Sequence, residues 1–187
     1  MTRDVYTLPP GLPAPEDDGG AAHLLGTMLP QLTLESSQGP VSLRELGSER
    51  LVLYVYPRAG RPGRPSLPGW DDIPGARGCT PQSCAFRDHA AELGGLGALV
   101  AGLSAQTLDD QVEFAERHHI PYPVIADPEL RLAAALRLPT FDVAGVRLYK
   151  RITLVVDACA IVKVFYPVFP PDKNAEEVIA WLEAARS

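Results

Sequence analysis

Gly78-Cys79-Thr80-Pro81-Gln82-Ser83-Cys84 places a cysteine at the mouth of a helix. Thr80-Pro81 has the form of an N-cap followed by proline at the first helical position, where a missing N–H costs nothing. Phe86, Ala90 and Leu93 then recur at helical spacing, and Gly94-Gly95 stops the run. The first N–H groups of a helix lack partners inside it, and with the helix dipole they favour negative charge. A cysteine held there is stabilised as thiolate, the reactive form. The bland alternative, two buried thiols without chemistry, fits poorly, because a cysteine beside glycine at a helix entrance is a poor core position. If the helix already includes Cys79, the Cα atoms of Cys79 and Cys84 lie roughly 8.6 Å apart. A disulfide rarely tolerates more than about 7 Å, so the first turn would have to unwind before the pair could close. If Cys79 sits just outside the helix, as Thr80-Pro81 suggests, the reorganisation is smaller.

Upstream of the cysteine, Arg58 to Gly78 is dense in Pro and Gly and has no periodic pattern. Loops this long inside a domain are usually functional or disordered. Before it, Leu51 to Tyr56 is an apolar run, and so are Ala98 to Leu103, Pro123 to Ala126, Ile152 to Val156 and Ile161 to Phe165, most of them continuously apolar. Runs rather than alternation predict strands buried on both faces. Gln31–Leu34 and Val41–Leu43 flank Gln38-Gly39 and predict an N-terminal hairpin. Thr107 with Asp110 predicts a capped helix to about Arg117. Asp127-Pro128 opens another to about Leu138, and Asn174 with Glu177 opens a last one carrying Val178, Leu182 and Ala185 on one face. Strands alternating with helices predict an α/β layered sheet, and the closeness of the last two strands makes part of it antiparallel.

Residues 1–26 are rich in Pro and Gly and read as an extended arm without a core of its own, either solvated or packed on the body or a partner. Residues 27–187 read as one domain. The net charge of −6 speaks against binding to a nucleic-acid backbone. No apolar run approaches a membrane span, and no signal-like stretch opens the chain, so a cytoplasmic protein is expected. The odd count of three cysteines is a poor fit to a secreted disulfide scaffold and points to catalysis, redox sensing or metal binding. Zinc knuckles use closer cysteine pairs and need four ligands, and His23, His89, His118 and His119 show no ligand spacing, so no metal is expected. Gly95-x-Gly97 precedes a strand, the wrong context for a nucleotide loop. Cys159, where the last two strands meet, reads as a small packed residue.

Together these segments resemble the peroxiredoxins, and within them the bacterioferritin comigratory protein, or Q-type, branch. The resemblance covers about residue 27 to the end. It is carried by Leu29–Leu34, Val41-Ser42-Leu43 and Val52–Pro57, by Gly78-Cys79-Thr80 with Cys84–Asp88, and by Arg151–Asp157. It implies a thioredoxin-like fold, a central mixed sheet flanked by helices with an N-terminal β-hairpin. It implies a thiol peroxidase in which Cys79 attacks hydrogen peroxide or an organic hydroperoxide. The sulfenic acid then condenses with Cys84 to an intramolecular disulfide, which thioredoxin or a similar dithiol resets. No cofactor is required, and a monomer rather than an obligate oligomer is expected. Arg151 is expected to stabilise thiolate and peroxide, since a guanidinium offers planar charged donors.

The chain departs from the family's catalytic loop of Pro, three residues, Thr, two residues, Cys. Ala76 stands at the Thr position and Asp72 at the Pro position, and Gln82 replaces the acidic residue three after the cysteine. With Pro57 as the counterpart of the family's Pro, it lies 22 residues before Cys79 rather than seven, an insertion of 15. Thr80 can supply the missing hydroxyl, or backbone N–H and Arg151 hold the peroxide. Two rival readings are a thioredoxin-like thiol-disulfide oxidoreductase and a non-enzymatic redox sensor. Cys-x4-Cys spacing and the absence of Pro before Thr153 speak against the first; steady-state peroxide turnover separates the second.

Overall fold

The computed structural model describes residues 4–186. In chain order they form β1 (Thr33–Ser36), β2 (Val41–Ser42), α1 (Leu43–Leu46), β3 (Arg50–Val55), α2 (Cys79–Asp88) and α3 (Ala90–Gly95). There follow β4 (Ala98–Ser104), α4 (Leu108–Arg117), β5 (Val124–Ala126), α5 (Arg131–Leu136), β6 (Thr140–Val143) and β7 (Val146–Tyr149). The chain closes with β8 (Ile152–Asp157), β9 (Ala160–Phe165) and α6 (Asn174–Ala185).

The apolar runs are explained by two cores. Successive side chains of a strand point to opposite faces. On β3, Val52 and Tyr54 enter one core together with Phe86, Phe114, Val178 and Leu182 from the helices. Leu51, Leu53 and Val55 enter the other, against Leu24, Leu43, Leu132, Leu136 and Tyr149. Both faces are covered, so alternation disappears from the sequence. The sheet order is β2-β1-β5-β4-β3-β8-β9. β3, β4 and β5 run parallel, while β8 pairs antiparallel with β3 and β9 with β8. The predicted mixed sheet between helical layers is thus present, and among the described residues no helix is long and apolar enough to cross a membrane.

Several predicted boundaries shift. Thr80 does not cap α2: the cap is Gly78, and Cys79 is already the first helical residue. Pro81 still fits, since its position in the first turn has no intrahelical N–H to lose. The helix expected through Leu93 breaks at His89 into α2 and α3. Thr107 caps α4 by accepting from the Asp110 N–H at 3.3 Å, as its spacing predicts. Asp127 lies further ahead of its helix than expected, because its carboxylate reaches the N–H groups of Arg131 and Leu132, both at 2.9 Å. Asn174 opens α6 but does not cap it; its side chain turns inward and accepts from Thr153 Oγ1 at 2.6 Å. The hairpin β1–β2 forms, yet β1 also joins the main sheet against β5. The β6–β7 hairpin was not legible in the sequence.

Of the arm expected over residues 1–26, the first three lie outside the described residues, and the rest lies on the body. Leu24 is fully buried. Asp18 accepts from Lys150 Nζ at 2.6 Å and Tyr166 at 2.7 Å, and these donors hold its carboxyl well below the usual range. Further out, Leu8 and Pro171 close on Gly78, where an added Cβ would meet Pro171 at 2.4 Å. Gly78 also has φ +113°, a conformation side chains resist. The arm, the start of α2 and the approach to α6 therefore meet at one glycine beside the cysteine.

Candidate active site

Two strands bring the site together. β3 leads into the Arg58–Gly78 segment and so to α2, while antiparallel β8 starts at the same end of the sheet, with Val55 opposite Ile152. Arg151, one residue before β8, therefore arrives at the first turn of α2. Cys79 is 3% exposed, and Arg151 Nη2 donates to its Sγ at 3.2 Å.

The rest of the guanidinium is held by neutral oxygens. Nη1 donates to Gln82 Oε1 at 2.6 Å, Nε reaches the Gly75 carbonyl at 3.3 Å, and Nη2 reaches the Ala76 carbonyl at 3.0 Å. Gln82 is oriented in turn by donating to Asn174 Oδ1 at 3.1 Å. Among the described residues no carboxylate pairs with Arg151, which is 4% exposed. A buried guanidinium without a counter-ion is costly. Among the described residues, the Cys79 sulfur is the one hydrogen-bond partner of Arg151 that can become an anion. Gln82 in place of an acid matters here, because a carboxylate at 2.6 Å would neutralise the charge. Its spacing of three from Cys79, one helical turn on, is the signal by which the sequence could have shown this.

Cys84 lies in the same helix and is buried, with no disulfide to Cys79. Burial pushes its thiol up from the ordinary value, against the pull of Arg87. Its Sγ lies 3.9 Å from Nδ1 of His118. On the other side of that ring, Arg117 Nη1 is 2.8 Å from Nε2. Arginine only donates, so Nε2 accepts and the proton of the neutral ring sits on Nδ1, toward the sulfur. Burial, with the charges of Arg117 and Arg87, lowers the His118 pKa to about 4, so the ring is neutral at pH 7. Local sequence gave no hint of this: His118 stands 34 residues from Cys84 and meets it only because α4 packs beside α2. The second turn of α2 is further pinned by Tyr122, which donates to the Ser83 carbonyl at 3.0 Å and pairs with Tyr54 at 2.9 Å.

A pocket of about 430 Å³ opens over Cys79, and Thr80 and Pro81 line it too. Ala76 is buried and offers only its carbonyl, so the hydroxyl nearest to the cysteine in the chain is that of Thr80. Cys159 is remote, at the far end of β8 from Arg151. It is not a core residue: it occupies the β8–β9 turn at φ +66°, half-buried, with Sγ on the Arg44 carbonyl at 3.3 Å.

The Redoxin family model matches residues 24–179. A chloroplastic peroxiredoxin Q of Gentiana triflora is 32% identical over 162 residues, spanning 86% of this chain and 67% of the relative. A putative peroxiredoxin bcp of Coxiella burnetii is 25% identical over 162 residues, spanning 84% and 97%. Among solved structures, peroxidoxin BcpB of Mycobacterium tuberculosis has a TM-score of 0.71 at 29% identity, covering 88% of this chain and 100% of that one. The bacterioferritin comigratory protein of Xanthomonas campestris shares the fold, with a TM-score of 0.69 at 22% identity over 88% of this chain and 99% of that one. With a buried thiol at a helix mouth, an uncompensated guanidinium on its sulfur and a second thiol in the same helix, the chain belongs to the Redoxin family, among the peroxiredoxins of the Q and bacterioferritin comigratory type, and is a thiol-dependent peroxidase.

Proposed function

We propose that Cys79 is the peroxidatic residue, Cys84 the resolving one and Arg151 the group that stabilises both thiolate and peroxide. The observation that carries this reading is the 3.2 Å contact from a buried guanidinium without a carboxylate partner to Cys79 Sγ. The thiolate attacks one oxygen of a hydroperoxide, the O–O bond breaks, and the other oxygen leaves as water or alcohol after taking a proton. Arg151 and the free N–H groups of the first turn face the charge that develops on the oxygens. The Thr80 hydroxyl is a further donor at the pocket wall.

The Cys84 thiolate then attacks the sulfenic sulfur, and hydroxide leaves as water, giving a disulfide within one chain. A thioredoxin-like dithiol restores both thiols by exchange. Since Cys79 is inside the helix, the first turn of α2 has to open for the sulfurs to meet. Hydrogen peroxide and organic hydroperoxides are the proposed oxidants; the Xanthomonas campestris relative is described by its alkyl peroxide reduction activity. A monomer suffices for this cycle because both cysteines come from one helix. Three cysteines, an odd count, fit a reducing compartment such as the cytoplasm.

The test is steady-state peroxide consumption with a thioredoxin system, alongside mass-spectrometric mapping of the oxidised protein. Turnover with a Cys79–Cys84 link supports the scheme. Disulfide formation without turnover would make the chain a sensor instead.

A further inference from the structure

The inserted segment Arg58–Gly78 gives the pocket over Cys79 most of its wall, and its chemistry is mixed. Leu67 and Trp70 present apolar surface, and Trp70 is anchored in a small core with Ala76 and Leu148. Five arginines also line the cavity, against one carboxylate, Asp110.

Most of that positive charge is spoken for. Arg61 donates to Asp109 at 2.7 Å and Asp110 at 3.0 Å, and Arg64 to Asp110 at 3.0 Å. Arg77 pairs with Asp71 at 2.7 Å, and Arg117 with Glu113 at 2.7 Å. Arg58 is different: among the described residues it has no ion pair and no side-chain hydrogen bond, though it is half-buried at the pocket wall. Its neighbour Ala59 is fixed at both ends by Gln106, which accepts from the Ala59 N–H at 2.8 Å and donates to its carbonyl at 3.1 Å. The base of the Arg58 side chain is thereby held in place, while its charge is free.

Hydrogen peroxide is not much larger than water, whose share of liquid volume is about 30 Å³, so it would leave most of the roughly 430 Å³ cavity empty. A cavity of this size, with apolar wall beside convergent polar groups, suits a small organic ligand. We infer that the preferred oxidant is an organic hydroperoxide bearing a carboxylate or similar anion, with its peroxide on Cys79, its apolar body along Leu67 and Trp70, and its anion on Arg58. This rests on the peroxidase reading above. The chemistry is unchanged: the sulfur takes one peroxide oxygen, and the rest leaves as the hydroxy acid after protonation.

The experiment is stopped-flow oxidation of the reduced full chain by a medium-chain hydroperoxy carboxylate, by its methyl ester and by hydrogen peroxide. The carboxylate is expected to react about tenfold faster than the ester, as one charge-assisted contact realised on binding predicts, and its advantage should shrink as ionic strength rises. In Arg58→Gln the carboxylate-to-ester ratio should collapse toward one, and Arg58→Lys should restore part of it. The ratio is internal to each variant, so a general loss of activity does not mimic the result. Equal rates for carboxylate and ester in the wild type, or a ratio that survives Arg58→Gln, would overturn the assignment. Failure of Cys79 to react even with hydrogen peroxide would instead overturn the peroxidase reading.

Discussion

Arg151 Nη2 and Cys79 Sγ lie 3.2 Å apart although 72 residues separate them in the chain. The contact exists because β3 and β8 are antiparallel neighbours: Arg151 precedes β8 at the end of the sheet where β3 leads off toward α2. It makes the sulfur the natural counter-ion of a buried charge. Arg151→Ala should slow Cys79 oxidation by about a hundredfold, the order found for loss of one preorganised donor. Lysine should recover only part of this, since it lacks the planar fork. Arg151 also ties down the Gly75 and Ala76 carbonyls, so the alanine variant should melt lower too. Stopped-flow oxidation below the melting transition separates the two effects; an unchanged rate constant there removes Arg151 from the chemistry.

Cys79→Ser should abolish peroxide consumption, because an alcohol is not ionised at neutral pH. Cys159→Ser should turn over within about twofold of wild type, as expected for a surface change, because Cys159 sits at the opposite end of β8. A coupled thioredoxin assay on both variants decides each assignment.

Cys84→Ser should leave the sulfenic acid on Cys79 without its partner, so the acid persists and over-oxidises more readily. In the wild type, closing the disulfide must disrupt contacts made by the first turns of α2, among them Tyr122 to the Ser83 carbonyl and His118 to Cys84. Hydrogen exchange in oxidised protein should therefore rise over about residues 79–88 while the C-terminal half of α6 stays protected. A covalent dimer on a non-reducing gel is the outcome that sinks an intramolecular bond.

His118 couples stability to pH. Its pKa is lowered to about 4 in the folded protein from an ordinary 6.5. The unfolded chain thus binds a proton between these values that the folded one refuses, so stability falls as pH drops from 6.5 toward 4. At about 1.4 kcal/mol per pKa unit, roughly 2 kcal/mol should be lost by pH 5. Urea midpoints at pH 7 and pH 5 for wild type and His118→Asn test this. The variant, with no group to protonate, should lose less, and equal losses would contradict a neutral buried ring.

Gly78→Ala should destabilise the fold by about 2–4 kcal/mol, combining a left-handed backbone with overpacking. The added Cβ would meet Pro171 at 2.4 Å and Leu8 at 3.0 Å. A thermal melt within 2 °C of wild type would show that the arm and the approach to α6 give way freely.

Local chemistry sufficed for much of this protein. Five apolar runs set five strands, the central ones losing their alternation because both faces of the sheet are covered there, and a cysteine after glycine at a helix start marked the candidate reactive centre. Where sequence reasoning slipped, another group, near or far in the chain, had overruled the expected preference. Thr80 looked like a cap, but Gly78 can adopt φ +113° and takes that place, drawing Cys79 into the helix. Asn174 looked like a cap, but Thr153 and Gln82 claim its side chain. His118 and Cys84 face each other only after two helices pack on the same side of the sheet. The sequence by itself determined which residues are candidates to react and where the apolar strands run, because those follow from side-chain chemistry and period. Only the tertiary structure put the Arg151 guanidinium, which the resemblance had named, against the sulfur, and it alone decided which proton faces Cys84 and that Arg58 is left unpaired among the described residues, because each depends on groups brought together from distant parts of the chain.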